Sequence, residues 1–291
     1  MGQYSANIDD FGMDSRCMAG PLPHRLQAAR EAGFAQIMLS ASDLAQYPLG
    51  FESAVAAVRE SGLRVTGFRA LTDFEGLTGA MQDFKLEVAQ AMLSMCHALG
   101  CRLLVLEASG ASQTSSDNSE ITRSLRQLST LAIPKNIRIA YRAHPRAIAA
   151  RDFAQAWDLV CQADMPNLGL CIDMLEVLCS DSTDNDLEML DSEKLFLVQL
   201  ADSLGDCQSG LRVFAGAGEH TAALVEMVTT LHRIGYRGNY CMTASNADYQ
   251  SMPPAVAAQH AWRSALWLGQ DVLQRSVPMP NKIRLKRQFV L

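Results

Sequence analysis

The sequence repeats one short unit several times along its length. Gly33, Gly62, Gly100 and Gly235 each follow a stretch of helical periodicity and precede a short apolar run. Glycine accepts the left-handed conformation that commonly ends a helix. A strand, a helix and a glycine that recur about every 30–40 residues are typical of parallel βαβ units. The chain is therefore predicted to be an α/β protein with a parallel sheet.

Eight such units favour a closed (β/α)₈ barrel over an open, doubly wound sheet. The nucleotide-binding GxGxxG motif expected after the first strand of an open sheet is missing from the sequence. Candidate strands cover residues 5–8, 36–40, 64–68, 102–107, 138–142, 168–173, 196–200 and 240–243. Candidate helices cover residues 23–32, 51–61, 80–99, 119–131, 151–163, 222–234 and 254–273, and residues 177–194 form an acidic link with a weak helical pattern.

Composition limits the class of protein and its partners. Apolar residues make up 48% of the 291 residues, which is enough to bury a large core and excludes a disordered chain. The net charge of −6 argues against a nucleic-acid partner and fits a protein that handles small molecules. No apolar run reaches the roughly 20 residues of a membrane helix, and the N-terminus lacks a signal peptide. We expect a cytoplasmic protein with no membrane partner.

Cysteine usage supports the same compartment. None of the eight cysteines forms a CxxC pair, and most lie in apolar stretches, so we expect buried free thiols in a reducing compartment rather than a zinc site. They are Cys17, Cys96, Cys101, Cys161, Cys171, Cys179, Cys207 and Cys241.

The C-terminal residues break the barrel pattern. We assign residues 1–275 to one barrel domain and residues 276–291 to a basic tail that contains two prolines and four basic residues. A tail packed on the barrel surface is the favoured interpretation. The alternative is an arm that docks on a partner subunit in a homodimer. Four basic residues are too few to indicate nucleic acid.

Candidate site residues lie where the predicted strands end, because barrels of this type bind and react at the C-terminal ends of their strands. Each residue alone is an ordinary loop or strand residue, but together they form a polar cluster on an apolar barrel. They are Glu107, Arg142, His144, Asp173, Glu176, Gln199 and Thr243, with Asp73, Glu75 and Arg212 in the neighbouring loops. Asp73 and Glu75 are expected to shape their loop rather than to act as acids.

Seven short segments together carry a resemblance to a known family: 62–68 (GLRVTGF), 73–76 (DFEG), 156–159 (AWDL), 166–170 (PNLGL), 198–202 (VQLAD), 212–219 (RVFAGAGE) and 235–238 (GYRG). They resemble segments of the bacterial 3-dehydroshikimate dehydratases of the xylose-isomerase-like superfamily. The resemblance runs from about residue 30 to about residue 275, in order and at similar spacing. In many family members a dioxygenase-like domain follows the barrel.

The resemblance implies loss of water from 3-dehydroshikimate with a divalent metal, held by a glutamate, an aspartate, a glutamine and a second glutamate. Residue by residue, the aspartate is kept as Asp173 and the glutamine as Gln199. Arg142 and Thr243 stand at the two glutamate positions, and Glu176 stands where the family has a histidine. The resemblance therefore indicates a degenerate metal site.

Charge decides between two interpretations of that site. The charges of Arg142 and Asp173 already cancel without a metal. A dication would therefore stand beside a guanidinium, and the repulsion between like charges at about 4 Å costs several kcal/mol. We therefore expect no cofactor, with the Arg142 guanidinium in the metal's place, paired with Asp173 and donating to Gln199. The alternative is a rebuilt Mn²⁺, Mg²⁺ or Zn²⁺ site that adds Glu107, His144 and Glu176 to Asp173.

The predicted function is that of a lyase or isomerase acting on a small polyhydroxylated acid or sugar. Arg142 would stabilise an enolate, with Glu176 or Glu107 as the base. Arg212 binds a substrate carboxylate or forms a surface salt bridge, and these two interpretations stay open. Gln199 and His144 complete the substrate-binding set. The alternatives are a non-catalytic binding barrel and a sugar isomerase with a rebuilt metal site; a DNA-repair nuclease is disfavoured by the acidic charge.

Overall fold

Eight parallel strands close into a barrel in the computed structural model, which describes residues 8–180, 184–207, 210–244 and 246–274. Each strand pairs with its sequence neighbour, and the last barrel strand returns to pair with the first. The barrel strands are β1 (Phe11–Asp14), β2 (Gln36–Ser40), β3 (Arg64–Thr72), β4 (Leu103–Glu107), β5 (Arg138–Arg142), β6 (Leu168–Asp173), β7 (Leu195–Leu200) and β10 (Asn239–Met242). The predicted (β/α)₈ fold class is confirmed.

Helices surround the barrel and bury their apolar stripes against it. In α5, for example, Ile121, Leu125 and Leu128 recur at helical spacing and are fully buried. The helices are α1 (Leu22–Ala32), α2 (Ala41–Ala45), α3 (Phe51–Glu60), α4 (Gly79–Leu99), α5 (Asn118–Ala132), α6 (Phe153–Ala163), α7 (Met174–Leu178), α8 (Asp184–Glu188), α9 (Thr221–Arg233), α10 (Ala247–Ser251) and α11 (Pro254–Trp267). None of the helices in the described ranges is long and apolar enough to cross a membrane.

One helix end shows why its glycine is required. Gly33 follows α1 with a φ of 121°, and a Cβ built there would lie 2.7 Å from the indole ring of Trp262 on α11. The helices α1 and α11 pack against each other at this point, and Phe34 meets Trp262 edge to face. The glycine therefore lets the first and last helices of the ring approach closely.

The centre of the barrel is filled by side chains, as expected for a closed barrel of eight strands. This inner core is buried and distinct from the layer between the strands and the helices; it consists of Met38, Leu103, Val105, Ala140, Cys171, Phe196, Leu197 and Cys241. Further along the strands, at their C-terminal ends, buried polar side chains replace apolar ones: Asp14, Arg69, Arg142, Asp173, Gln199 and Thr243. We call this end the barrel mouth.

Two predicted strands need correction. The first strand is Phe11–Asp14, whereas the predicted segment 5–8 lies outside the described residues except for Ile8, which begins a 3₁₀ turn. The third strand continues from Arg64 to Thr72, four residues beyond the predicted end. The other barrel strands agree with the prediction to within a residue at each end. The predicted tail, residues 276–291, and residue 275 lie outside the described residues.

An antiparallel hairpin after the seventh barrel strand was not predicted. Its strands are β8 (Asp202–Leu204) and β9 (Leu211–Val213), which pair with Ser203 opposite Arg212. Its residue Cys207 forms a disulfide with Cys179, the residue that follows α7. The expectation of free thiols throughout is therefore wrong for this pair, because the hairpin folds back toward α7. Cys161 is free but exposed, and the five remaining cysteines are free and buried as expected.

Candidate active site at the barrel mouth

Arg142 is the central cation of the mouth. It is the last residue of β5 and only 6% exposed. Its Nη2 lies 2.5 Å from Glu176 Oε1 and 3.7 Å from Asp173 Oδ2, while its Nη1 lies 3.5 Å from Glu107 Oε2. Burial opposes the charge, but Asp173, Glu176 and Glu107 outweigh burial and raise the pKa of the guanidinium above its usual value. Arg142 therefore stays a cation throughout the physiological range.

Asp173 is shared by two arginines. It ends β6 and caps α7, where its Oδ1 accepts a hydrogen bond from the Leu175 N–H at 3.2 Å. Arg212 of β9 donates from Nη2 to both carboxylate oxygens, at 2.6 and 2.8 Å. Burial would raise the pKa of Asp173, but Arg212 and Arg142 outweigh burial and lower it. Asp173 is therefore an anion at neutral pH.

Glu176, in the first turn of α7, is a carboxyl group that titrates near neutrality. Burial and the negative charge of Asp173 raise its pKa to about 7, although Arg142 and Arg212 act in the opposite direction. Its two oxygens face the Nε and Nη2 of Arg142. A carboxyl group with a pKa close to the working pH can both accept and return a proton, which is what a general acid–base catalyst does.

Gln199 and Thr243 lie at the mouth but do not contact Arg142. Gln199 Nε2 lies 3.7 Å from Met38 Sδ, and its buried Oε1 has no hydrogen-bond partner within the described ranges. The expected hydrogen bond from Arg142 to Gln199 is therefore wrong: the guanidinium turns toward Glu176 instead. Thr243 Oγ1 donates to the Leu200 carbonyl at 3.4 Å.

His144 lies at the edge of the mouth, close to Glu107. Its Nδ1 accepts from the Arg146 N–H at 3.2 Å, and its Nε2 lies 3.9 Å from Glu107 Oε1. Burial lowers the pKa of His144 despite the nearby Glu107, so the ring is neutral at pH 7. A neutral ring at this position can donate to or accept from a hydroxyl group of a ligand.

The structure adds an ion pair that sequence reasoning missed. Asp14 ends β1 and is paired with Arg69 of β3, and both side chains are buried. Burial would raise the pKa of Asp14, but Arg69 and Arg16 outweigh burial and lower it. Asp14 ends its strand, and Arg69 lies one residue beyond the predicted end of β3; both were missed because the boundaries of these two strands were misplaced.

The loop after β3 is built around a buried carboxyl group. Glu75 accepts hydrogen bonds from the Ser109 N–H at 2.6 Å and from the Tyr141 hydroxyl at 3.0 Å. Asp73 accepts from the Ser109 hydroxyl and from the Gly110 N–H, both at 3.2 Å. These contacts join two neighbouring loops, in line with the structural role expected for both acids.

An open cleft of about 1100 Å³ leads to this cluster. It is lined by Glu176 and Arg212 of the mouth and by His144, Arg146, Arg151 and Asp152 at its rim. A second, small cavity of about 20 Å³ lies beside Arg142, Asp173 and Glu176. That volume has room for about one water molecule, and its polar lining could bind one.

Arginine side chains occupy the carboxylate oxygens that a divalent cation would need at Asp173. Arg212 occupies both oxygens of Asp173, and Arg142 lies against the same carboxylate. The unpaired Oε1 of Gln199 is a single neutral ligand atom. Across the described part of the chain, no three His, Cys, Asp or Glu side chains are grouped so that they could hold a metal ion. A dication here would face two guanidinium groups in a poorly solvated site.

Comparison with known proteins agrees with the fold. The family described as "Xylose isomerase-like TIM barrel" matches residues 26–266. The chain belongs to this family. Among solved structures, a xylose isomerase-like TIM barrel/4-hydroxyphenylpyruvate dioxygenase fusion protein superposes with a TM-score of 0.83 at 24% identity, covering 96% of this chain and 44% of that one. The IolI protein with a bound zinc atom superposes with a TM-score of 0.79 at 19% identity, covering 90% of this chain and 98% of that one.

Curated relatives include two bacterial 3-dehydroshikimate dehydratases. The protein from Pseudomonas aeruginosa is 29% identical over 272 residues, which are 90% of this chain and 42% of the relative. The protein from Pseudomonas putida is 26% identical over 266 residues, 89% of this chain and 41% of the relative. An inosose isomerase from Halalkalibacterium halodurans is 28% identical over 153 residues, 49% of this chain and 53% of the relative. The chain thus spans less than half the length of the two dehydratases.

Proposed function

We propose that this barrel is a lyase or isomerase for a small polyhydroxylated acid or sugar, and that it works without a metal ion. The names of its relatives, which act on 3-dehydroshikimate and on inosose, support this class of substrate. The observation that carries the proposal is the pair formed by Glu176 and Arg142. It places a carboxyl group with a pKa of about 7 against a permanent buried cation, at the end of an open cleft.

The proposed reaction begins with loss of a proton from the carbon beside a substrate carbonyl group. Glu176 accepts this proton, and the electron pair moves to the carbonyl oxygen to give an enolate. Arg142 stabilises the negative oxygen, because a buried guanidinium is already oriented and needs no solvent rearrangement. Glu176 then returns the proton, either to a leaving hydroxyl group, which departs as water, or to the neighbouring carbon. Glu107, 3.5 Å from Arg142, is the alternative base.

Arg212 is the proposed contact for a substrate carboxylate. It is 31% exposed in its side chain and lines the cleft, and a planar guanidinium can hold a carboxylate through two hydrogen bonds. Its present partner is Asp173, so a substrate carboxylate would have to compete with or share that contact. Gln199 and His144 complete the proposed substrate-binding set through their amide and imidazole groups.

A non-catalytic binding barrel is the second candidate. A specific observation favours it: Arg142, Arg212 and Arg69 each already have a carboxylate partner, so the mouth is electrostatically satisfied without a substrate. Such a barrel would bind a small acid without converting it. A sugar isomerase with a rebuilt metal site would need a cation among Glu107, His144, Glu176 and Asp173, next to Arg142.

One set of measurements separates these functions. Purified protein is assayed with 3-dehydroshikimate and with inosose, in a chelator and again with added Mn²⁺ or Mg²⁺, and its metal content is measured. We expect turnover that a chelator leaves unchanged and that Glu176→Gln abolishes. Thermal stabilisation by the same compounds without turnover would establish the binding barrel. A stoichiometric divalent ion, with activity that depends on it, would refute the metal-free site.

The revertant Arg142→Glu/Thr243→Glu tests the proposed origin of the site. It restores the two carboxylates that the resemblance implies and removes one of the two arginines from Asp173. We expect it to bind Mn²⁺ measurably more tightly than the original chain in calorimetry. A cytoplasmic location and a homodimer stay predictions, which fractionation and light scattering can test.

A further inference from the structure

The disulfide Cys179–Cys207 joins the segment that carries Asp173 and Glu176 to the segment that leads to Arg212. Cys179 follows α7, whose first turn holds Glu176 and whose capping residue is Asp173. Cys207 lies between β8 and β9, and β9 carries Arg212, the partner of Asp173. The covalent bond therefore joins the segment before β9 to the end of α7, and the Arg212–Asp173 ion pair joins β9 itself to the start of α7.

Other contacts hold the opposite end of the hairpin. Asp202, at the start of β8, accepts hydrogen bonds from the N–H groups of Ser203 and His220, at 2.8 and 3.0 Å, and from the Thr221 hydroxyl at 2.8 Å. These bonds fix β8 to the segment before α9 and do not involve α7. Asn246 Nδ2 donates to the Arg212 carbonyl at 2.5 Å and so fixes the backbone of Arg212. The direction of the Arg212 side chain is set by its ion pair with Asp173.

The disulfide is open to reagents, unlike most of the thiols. Cys179 and Cys207 are half-buried and line the cleft together with Glu176 and Arg212. Cys17, Cys96, Cys101, Cys171 and Cys241 are buried, as single thiols, in the protein interior. In a reducing compartment, which the sequence predicts, disulfides are usually transient and serve redox sensing or catalysis.

We propose that Cys179–Cys207 is a thiol–disulfide exchange site that controls whether Arg212 is available to ligands. A cellular dithiol attacks one sulfur, supplies two electrons and two protons in all, and leaves as a cyclic disulfide, while Cys179 and Cys207 become thiols. In the oxidised chain Arg212 is held on Asp173. In the reduced chain the covalent link is lost and only the ion pair holds Arg212 on Asp173, so Arg212 exchanges between Asp173 and an anion in the cleft.

The test measures the accessibility of Arg212 directly, so it is independent of any turnover. Full-length protein is prepared oxidised, or reduced with dithiothreitol and capped with N-ethylmaleimide, and is then treated with phenylglyoxal, which modifies guanidinium groups. Peptide mass spectrometry follows Arg212, with Arg142 as the internal control because it is only 8% exposed in its side chain. We expect Arg212 labelling to rise about fivefold or more on reduction, as for a contact that opens locally, and Arg142 labelling to stay constant.

Two variants complete the test. Cys179→Ser/Cys207→Ser is expected to show the high labelling of the reduced chain whether or not dithiothreitol is present. Cys161→Ser, which removes an exposed thiol on α6 that does not line the cleft, is expected to behave as the original chain does. Equal labelling of Arg212 in the oxidised and reduced chains would overturn the proposal and leave a purely structural cross-link. Thiol counting that finds no disulfide in the oxidised chain would overturn it as well.

Discussion

Replacing Arg142 by methionine tests the electrostatic account of the mouth. Methionine keeps much of the side-chain length and the apolar packing but removes the positive charge. Three carboxylates, Glu107, Asp173 and Glu176, then lose a cation that lies 2.5–3.7 Å away. Arg212 still compensates Asp173, so the loss falls mainly on Glu176 and Glu107.

The expected destabilisation follows from these distances. At an effective dielectric constant of about 20, one unit charge pair at about 3.5 Å attracts by roughly 5 kcal/mol. Part of this loss is avoided because Glu176, with a pKa of about 7, can take up a proton. Breaking a buried pair by removing one partner generally costs about 3–5 kcal/mol. We expect a loss in that range, which corresponds to a Tm lower by about 5–8 °C for a chain of this size.

The loss should depend on pH in a definite direction. Without Arg142 the pKa of Glu176 rises further, so the variant's folded state holds its proton to higher pH and is penalised where Glu176 ionises. Urea denaturation at pH 5 and pH 8 should therefore show the larger loss at pH 8.

The double variant Arg142→Met/Glu176→Gln is the matched control. It removes the charge of both partners, so we expect it to recover a large part of the stability at pH 8. A loss below about 1 kcal/mol, within the range of ordinary surface substitutions, or an equal loss at both pH values, would refute the reasoning.

Three further predictions concern stability. In the original chain the raised pKa of Glu176 contributes stability that is complete below pH 4.5 and is lost as pH rises through about 7. Glu176→Gln should remove this pH dependence of the free energy of unfolding, measured in denaturation curves between pH 5 and 8. An unchanged pH dependence in the variant would contradict a pKa of about 7 for Glu176. Gly33→Ala should cost about 1–3 kcal/mol, because its Cβ would meet Trp262 at 2.7 Å. In thermal melts the same substitution should cost less in a Trp262→Ala background than in the original chain. Reduction of the Cys179–Cys207 disulfide should cost about 3.6 kcal/mol on the loop-entropy account, measured in urea with and without dithiothreitol. Cys179→Ser/Cys207→Ser should be insensitive to the reductant.

The fold could be predicted because local sequence patterns specify most of its strands and helices. The strands that end in Glu107, Arg142 and Asp173 contain continuous apolar runs between helical stretches. Such runs are typical of the buried strands of a parallel sheet. The first strand has only four residues and includes a glycine, so its sequence pattern is weak. The pattern of the nearby segment 5–8 is similar, and that segment was predicted as the strand instead. The residues that the sequence placed at the barrel mouth do lie there, because parallel strands all end on the same side.

The pairing of charges could not be predicted in the same way. Arg142 turns toward Glu176 rather than Gln199, a choice made by side-chain torsion angles that no spacing encodes. Arg212 reaches Asp173 only because an antiparallel hairpin brings β9 back over the mouth. Arg69 was overlooked because β3 continues past Phe68, where a register shift in its pairing with β4 interrupts the regular pattern.

The double use of Asp173 has a consequence for how ligands and protons are exchanged. Its low pKa depends on Arg212 and Arg142 together. An anion that draws Arg212 away would leave the carboxylate with one compensating charge in a buried position, and its proton affinity would rise. Binding of an acid in the cleft should therefore be accompanied by uptake of a fraction of a proton from the buffer. The heat of binding would then vary with the ionisation enthalpy of the buffer. Such a variation would show that the barrel mouth binds an anion and a proton together.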